Sequence, residues 1–278
     1  MSPDSYKSWQ SSPIHFSSVK VRSDRSLIAA SPGRGLYHKT EDGEWSGLSN
    51  GLPEGSTINR LQLIGGKPYA CTSRGLYGLA NGQWLSTEVD SACYQYKEEW
   101  GYGFAATENG LIYNDGKKWK KSAFEGSTVY DFLFSPQYLY VGLDQGISMY
   151  DRLTDRWAGF ELGFGVTSIA ASKEYLVGAS ERGELIVSNG SGGFDTIQFG
   201  DIFVFGVVSK HPNVYVCTDR GLYRIGRLGK QFTLFSVKPG VPVTDIDWHG
   251  SELYMATLSK GIQTMRTESG CSSNENNS

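Results

Sequence analysis

The sequence predicts an all-β fold, a seven-bladed β-propeller of four-stranded antiparallel blades that is closed by an N-terminal strand in the last blade. Three observations predict it: a short glycine-containing segment recurs seven times, the copies are evenly spaced, and an aromatic residue follows six of them in the same register. Internal periods of this length indicate a repeat architecture in which each repeat is one structural unit.

The recurring segment consists of a small residue, Ser or Thr, two polar residues, a glycine and an apolar pair, as in CTSRGLY (71–77) and CTDRGLY (217–223). Consecutive glycines are 35 to 40 residues apart, which is the length of four short strands with their turns. A polar residue followed by glycine is typical of a tight turn in which the glycine adopts a positive φ. The seven glycines are Gly35, Gly75, Gly110, Gly146, Gly183, Gly221 and Gly261.

The aromatic residue that opens the fourth strand of a blade accounts for six blades and is missing from the last repeat. These aromatics are Trp45, Trp84, Trp119, Trp157, Phe194 and Phe232. Trp9 precedes the first alternating strand in the same way, so we expect residues 6–12 to supply the outer strand of the seventh blade and to pair an open sheet edge. We expect one domain over residues 1–266 and a disordered polar tail over 267–278.

Composition argues against several classes of partner. The 278 residues carry a formal net charge of −3, so the chain lacks the basic field that attracts nucleic acid or anionic lipid. The most apolar stretch, 197–208, is far shorter than the roughly 20 residues of a membrane-spanning helix. The N-terminus has no secretory pattern. We therefore expect a cytoplasmic monomer that binds neither nucleic acid nor membranes.

Four cysteines are present without a CxxC pair, and two of them occupy the same place in two repeats, where a small buried residue is needed. We interpret them as thiols of the core. They are Cys71, Cys93, Cys217 and Cys271.

The repeats also carry a family resemblance. The pattern W-x-x-L-x-x-GLP (45–53), followed by YACTSRGLYGLANGQW (69–84), resembles the repeats of two-component-regulator sensor propellers and is similar to the neuraminidase-like repeats of photosystem II assembly factors. The resemblance covers nearly the whole chain but consists of core and turn residues, so it implies the fold more than the function. It implies a ligand-sensing, scaffolding or partner-binding module.

We expect any site to lie at one mouth of the central channel, where the blade-to-blade loops meet. The first two residues of the inner strands differ from blade to blade, and a binding site requires such an asymmetric set. The predicted ligand-binding residues are Asn59, Arg60, Tyr94, Gln95, Tyr130, Phe205 and Thr244.

Asp131 and Asp245 are the candidates for a general acid or base, because a carboxylate at a channel wall can be desolvated. His15 near the mouth is a third candidate. A purely structural interpretation remains open: the carboxylates can bond backbone amides of the next blade, and the aromatic residues can plug the channel. The histidines do not converge, so we predict no metal site, and nothing indicates a cofactor.

Two functions follow from this pattern. The first is a non-catalytic binding or assembly propeller that holds a small molecule, peptide or protein at the channel mouth. The alternative is a small-molecule enzyme, such as a lyase, hydrolase or cyclase, with an acid–base site at the same mouth. A lectin is less favoured, because the blades do not repeat one identical set of polar residues.

Overall fold

The computed structural model of the chain describes residues 15–267. Its strands form seven antiparallel sheets, and within each sheet the strands are neighbours in chain order. The predicted seven-bladed β-propeller is therefore confirmed.

Four strands make up each of the first six blades. Blade one contains β1 (Ser18–Val21), β2 (Leu27–Ser31), β3 (Gly35–Lys39) and β4 (Ser46–Gly47). Blade two contains β5 (Ile58–Ile64), β6 (Lys67–Thr72), β7 (Gly75–Ala80) and β8 (Gln83–Ser86). Blade three contains β9 (Cys93–Glu99), β10 (Tyr102–Thr107), β11 (Gly110–Asn114) and β12 (Trp119–Ala123).

The next three blades repeat this arrangement. Blade four contains β13 (Val129–Phe134), β14 (Tyr138–Leu143), β15 (Gly146–Asp151) and β16 (Arg156–Glu161). Blade five contains β17 (Val166–Ala171), β18 (Leu176–Ser180), β19 (Leu185–Ser188) and β20 (Phe194–Ile197). Blade six contains β21 (Val204–Lys210), β22 (Asn213–Thr218), β23 (Gly221–Leu228) and β24 (Gln231–Pro239).

Blade seven has three strands within the described residues: β25 (Val243–His249), β26 (Glu252–Thr257) and β27 (Ile262–Arg266). The predicted outer strand, residues 6–12 with Trp9, lies outside the described part of the chain, as do residues 268–278. Two predictions therefore remain predictions: that this strand closes the ring, and that the C-terminal tail is disordered.

Apolar side chains of neighbouring blades form the core. Blade seven meets blade one through a buried cluster that contains Phe16, Val19, Ala29 and Ala256. The backbone N–H of Phe16 also donates to the carbonyl of Thr257, with 2.9 Å between the two atoms. Blades one and seven are therefore in direct contact through residues that the structure describes.

The seven glycines of the repeat all adopt positive φ, as predicted. Gly75 shows why the position excludes other residues: its φ is 122°, and an added Cβ would lie 1.9 Å from the carbonyl oxygen of Val89. Glycine is required there for both conformation and space.

Two of the predicted outer-strand tryptophans lock one blade to the preceding one. The indole N–H of Trp84 donates to the carbonyl of Leu48, and that of Trp119 donates to the carbonyl of Thr87, each at 2.6 Å. Both acceptors follow the fourth strand of the preceding blade. Trp157, in the same register, is 45% exposed, so the aromatic position is not buried in every blade.

A β-bulge recurs near the start of the innermost strand in six blades. At this point the pairing with the second strand skips one residue. The skipped residues are Asn59, Tyr94, Tyr130, Thr167, Phe205 and Thr244. A bulge re-aims the side chains around it, and here it turns the following residue of each strand toward the channel or the next blade.

Candidate functional site

The innermost strands of all seven blades surround a cavity of about 740 Å³ in the central channel. Seven of the ten residues predicted from the sequence line it: Asn59, Arg60, Gln95, Asp131, Phe205, Thr244 and Asp245. Tyr94, Tyr130 and His15 do not. The structure therefore brings together most of the predicted set, and whether these residues bind or react with anything stays a prediction.

The cavity is offset toward one side of the ring. Blades six, seven, one and two line it with several residues each, whereas blades three, four and five contribute two residues each. Gly206 has no side chain at the position where Asp131 and Asp245 stand in their blades, so Cys217 behind it lines the cavity. Cys71 and Cys93 are also buried, and Cys271 lies outside the described residues.

Asp131 is buried and all of its bonding capacity is used. Its Oδ1 accepts the N–H of Phe132 at 2.8 Å and the amide of Gln95 at 3.0 Å. Its Oδ2 accepts the N–H of Ile169 in the next blade at 2.9 Å and lies 3.2 Å from Arg60. The carboxylate thus bonds the backbone of two blades, as the structural interpretation expected.

Asp245 makes the same backbone bonds from blade seven. Its Oδ1 accepts the N–H of Ile246 at 2.9 Å, and its Oδ2 accepts the N–H of Val19 in blade one at 3.1 Å. The Oδ2 atom also accepts the hydroxyl of Ser18 at 2.6 Å and the ammonium of Lys20 at 3.0 Å. This carboxylate joins the last blade to the first.

Arg60 extends across the channel from blade two. Its guanidinium pairs with Asp131 of blade four and donates to the carbonyl of Thr167 in blade five at 3.4 Å. Burial opposes its charge, but the carboxylates of Asp131 and Asp245 together outweigh burial and raise the pKa of Arg60. The same pairing acts on the carboxyl: burial opposes its ionisation, yet Arg60 and Lys97 hold the pKa of Asp131 below its usual value.

The ammonium of Lys97 lies on the other side of Asp131. It donates to the carbonyl of Phe132 and lies 3.7 Å from the Oδ1 of Asp131. Burial lowers the pKa of Lys97, and Asp131 compensates only in part. Two positive groups therefore share one buried carboxylate.

The predicted aromatic wall is divided between two places. The rings of Tyr94 and Tyr130 meet edge to face, with their centroids 5.1 Å apart, and burial raises the pKa of both phenols. Phe205 lines the cavity and packs against Phe203, with centroids 5.5 Å apart. Of these three predicted aromatic residues, Phe205 alone lines the cavity.

The remaining polar residues at the channel have local partners. Asn59 donates to the carbonyl of Cys93 at 2.8 Å, and Thr244 donates to the carbonyl of Phe16 at 2.8 Å. The exposed His15 contacts the carbonyl of Leu258 through Nδ1. These bonds tie neighbouring blades together around the mouth.

Sequence reasoning missed the second layer of channel residues. This layer stands two residues after the first layer of the inner strands, which contains Arg60 and Asp245. It also lines the cavity and includes Lys20, Gln62, Lys97 and Asp247. Alternate residues of a strand face the same side, so the signal was present two residues further along each inner strand.

Within residues 15–267, no group of three or more His, Cys, Asp and Glu side chains is arranged to hold a metal ion. The described part of the chain also contains no helix that is long and apolar enough to cross a membrane.

The fold and the lined channel define the class of this protein: a seven-bladed β-propeller with a polar central cavity. The extracellular domain of the putative one component system BT4673 from B. thetaiotaomicron has a TM-score of 0.72 at 14% identity, over 92% of this chain and 38% of that one. This chain therefore spans well under half of that domain.

Two further structures share the fold. A catalytically inactive virginiamycin B lyase from Staphylococcus aureus, solved with quinupristin, has a TM-score of 0.70 at 12% identity, over 93% of this chain and 97% of that one. PorZ of the type-IX secretion system of Porphyromonas gingivalis has a TM-score of 0.62 at 15% identity, over 92% and 37%. At such identities the likeness shows the fold alone.

No protein-family profile matches the chain, and no curated protein matches its sequence. The predicted likeness to two-component-regulator propellers is supported at the level of fold by BT4673, and the likeness to photosystem II assembly factors stays a prediction.

Proposed function

We propose that this propeller is a binding module that holds a small molecule in its central channel. One observation carries the proposal: the cavity of about 740 Å³ lies within the range of roughly 300–1,000 Å³ that small-molecule sites occupy.

The lining supports a specific ligand. Charged groups, hydroxyls and two aromatic rings, Phe205 and Trp248, face one space. Five different residue types stand at the seven positions of the first layer: Ser18, Arg60, Gln95, Asp131, Ser168, Gly206 and Asp245. Such an asymmetric set fixes the orientation of one ligand.

The enzyme alternative has less support from the geometry. Asp131 accepts two backbone N–H groups, and its pKa is lowered, so it is a weak base and remains unprotonated at neutral pH. Asp245 is held by Ile246, Val19 and Lys20. Both carboxylates are bonded as joints between blades.

A peptide or protein partner at the mouth remains the second form of the binding hypothesis. The cytoplasmic location, the monomeric state and the absence of nucleic-acid and membrane partners also remain proposals, based on composition and charge.

The test uses a variant that blocks the cavity. Gly206 lines the channel, and an added Cβ would meet only Ser168, at 3.6 Å and 3.7 Å, which is ordinary contact. We expect Gly206→Leu to fold and to occupy part of the cavity. Native mass spectrometry would then compare wild type and variant after incubation with the small-molecule fraction of a cell extract.

Gly190→Leu is the matched control, because Gly190 is exposed and an added Cβ meets nothing within 4 Å. We expect the wild type and this control to carry a small-molecule mass increment that Gly206→Leu lacks. An increment retained by Gly206→Leu, or none on any of the three proteins, would overturn channel binding.

A further inference from the structure

The charge of the cavity differs in sign from that of the protein. Its lining contains four cations and three carboxylates: Lys20, Arg60, Lys97, Lys210, Asp131, Asp245 and Asp247. The whole chain carries a formal net charge of −3. An excess of positive charge is thus concentrated in the channel of an acidic protein.

Two of the three carboxylates are committed to the fold, and the third accepts one backbone bond. Asp131 and Asp245 each accept two backbone N–H groups, and Asp247 accepts the N–H of Val21 at 2.8 Å. The first two also accept side-chain donors, so little of their acceptor capacity remains for a ligand.

The cations retain donors. Among residues 15–267, Lys20 uses one of the three N–H groups of its ammonium, on Asp245. Arg60 directs its guanidinium to Asp131 and the carbonyl of Thr167, which leaves part of a five-donor group. Asp131 and Asp245 have little acceptor capacity left, whereas these cations retain N–H groups that an added ligand with acceptor oxygens can bind.

These cations are adjacent. Lys20, Arg60 and Lys97 belong to the inner strands of blades one, two and three, and all three line the same cavity. Arg60 opposes the protonated form of both lysines; for Lys97 this adds to the effect of burial, whereas for Lys20 the carboxylates of Asp245 and Asp247 outweigh it and the pKa is raised. An anion placed between them would relieve this repulsion.

Apolar side chains also contribute to the lining. Leu133 and Val208 stand at the level of Lys20 and Lys97 along the inner strands, and Leu63 and Trp248 stand one residue further. A ligand that contacts the cations and these side chains has a charged group and an apolar body.

We propose that the channel ligand is a small organic monoanion, a carboxylate whose oxygens accept from Lys20, Arg60 and Lys97 and whose apolar body packs toward Trp248. The single excess positive charge matches a monoanion. This inference rests on the proposed binding function and adds the chemical class of the ligand.

Three probes of nearly equal shape test the charge preference: 2-naphthoate, 2-naphthamide and 2-naphthamidine, which are anionic, neutral and cationic. Isothermal titration calorimetry at neutral pH measures the Kd of each for the wild-type protein. We expect naphthoate to bind at least about tenfold more tightly than the amide, because it gains charge-assisted hydrogen bonds. We expect the amidine to bind most weakly.

Lys97→Met is the channel variant. Lys118→Met is its control, because Lys118 is exposed in the loop between β11 and β12 and its replacement changes the charge equally outside the channel. Lys97→Met should weaken naphthoate about tenfold and leave the amide unchanged, and Lys118→Met should change neither. Lys20→Met, which removes another of the three proposed contacts, serves in its place if Lys97→Met does not fold.

The two proposals fail differently. If the amide or the amidine binds as tightly as naphthoate and Gly206→Leu abolishes that binding, the channel binds ligands but the anion assignment is wrong. Equal naphthoate affinity in Lys97→Met and Lys118→Met would also overturn the assignment. If none of the probes binds and no mass increment is found, both proposals are wrong.

Discussion

Asp131 and Asp245 occupy equivalent positions in blades four and seven, make the same two backbone bonds and yet stand in different surroundings. The side chain of Asp131 is 3% exposed and faces two cations, whereas that of Asp245 is 18% exposed and faces one. The comparison teaches that one bonding pattern between blades serves two ends. On the side of blades three to five, the closed side, it holds the cluster of Asp131 with Arg60 and Lys97; on the side of blades six, seven, one and two, the open side, it joins the last blade to the first.

The largest effect should come from removing the charge of Asp131. Asp131→Asn leaves Arg60 and Lys97 without their counterion and turns an amide N–H₂ against a backbone donor. We expect a loss of about 3 kcal/mol in the free energy of unfolding, measured by urea denaturation. Asp245→Asn should cost about 1 kcal/mol, because water reaches that site. Equal losses would show that the two sides of the channel do not differ.

The two cations that face Asp131 should also be unequal. Arg60→Met removes a group whose pKa is raised by the carboxylate, and we expect a loss of about 2 kcal/mol. Lys97→Met removes a charge that burial disfavours, so its unfolding free energy should stay within about 0.5 kcal/mol of wild type. If urea denaturation shows a larger loss for Lys97→Met than for Arg60→Met, the predicted order of the two cations is wrong.

Acid should remove the stabilisation that Asp131 contributes. The pKa of Asp131 is lower in the folded protein than its usual value of 3.8, so the folded state stabilises the ionised form. Its contribution is fully present above the usual pKa and is lost as the pH falls below about 4 through the folded pKa. Wild type should therefore lose stability on acidification more steeply than Asp131→Asn, as measured by denaturation at several pH values. Parallel curves would contradict this.

The smallest effect should come from Gly206→Ala on the open side. Gly206 does not have a positive φ, and an added Cβ makes only ordinary contact with Ser168. We expect a change within about 0.5 kcal/mol. At Gly142, which pairs with Asp131 on the closed side, the same atom would lie 2.4 Å from the carbonyl oxygen of Val166, so Gly142→Ala should unfold at clearly lower urea concentration. A tolerated Gly142→Ala would mean that the closed side has room to relax.

Much of the fold could be predicted from the sequence, because turn glycines and strand alternation are local signals. Gly75 and Gly221 mark their hairpins wherever the blades lie, and the column that contains Arg60 and Asp131 follows from aligning repeats. Lys20 and Lys97 stand two residues further along their strands and face the same side, so strand alternation also predicts that they line the channel.

Other features depend on distances across the ring. No local pattern shows that Arg60 reaches Asp131 two blades away, or that Tyr94 and Tyr130 pack on each other outside the cavity. A bulge also sets the direction of a side chain through the backbone geometry around it. Residue type alone therefore could not show that Phe205 lines the cavity and Tyr94 does not.

The central claim is that the channel, which all seven blades line, is a ligand site. A crystal structure of the protein soaked in 2-naphthoate tests it most directly. We predict density for the probe inside the channel, with its carboxylate within hydrogen-bond distance of Lys20, Arg60 or Lys97 and its rings toward Trp248. Density only on the outer surface, with the channel filled by ordered water alone, would contradict the account.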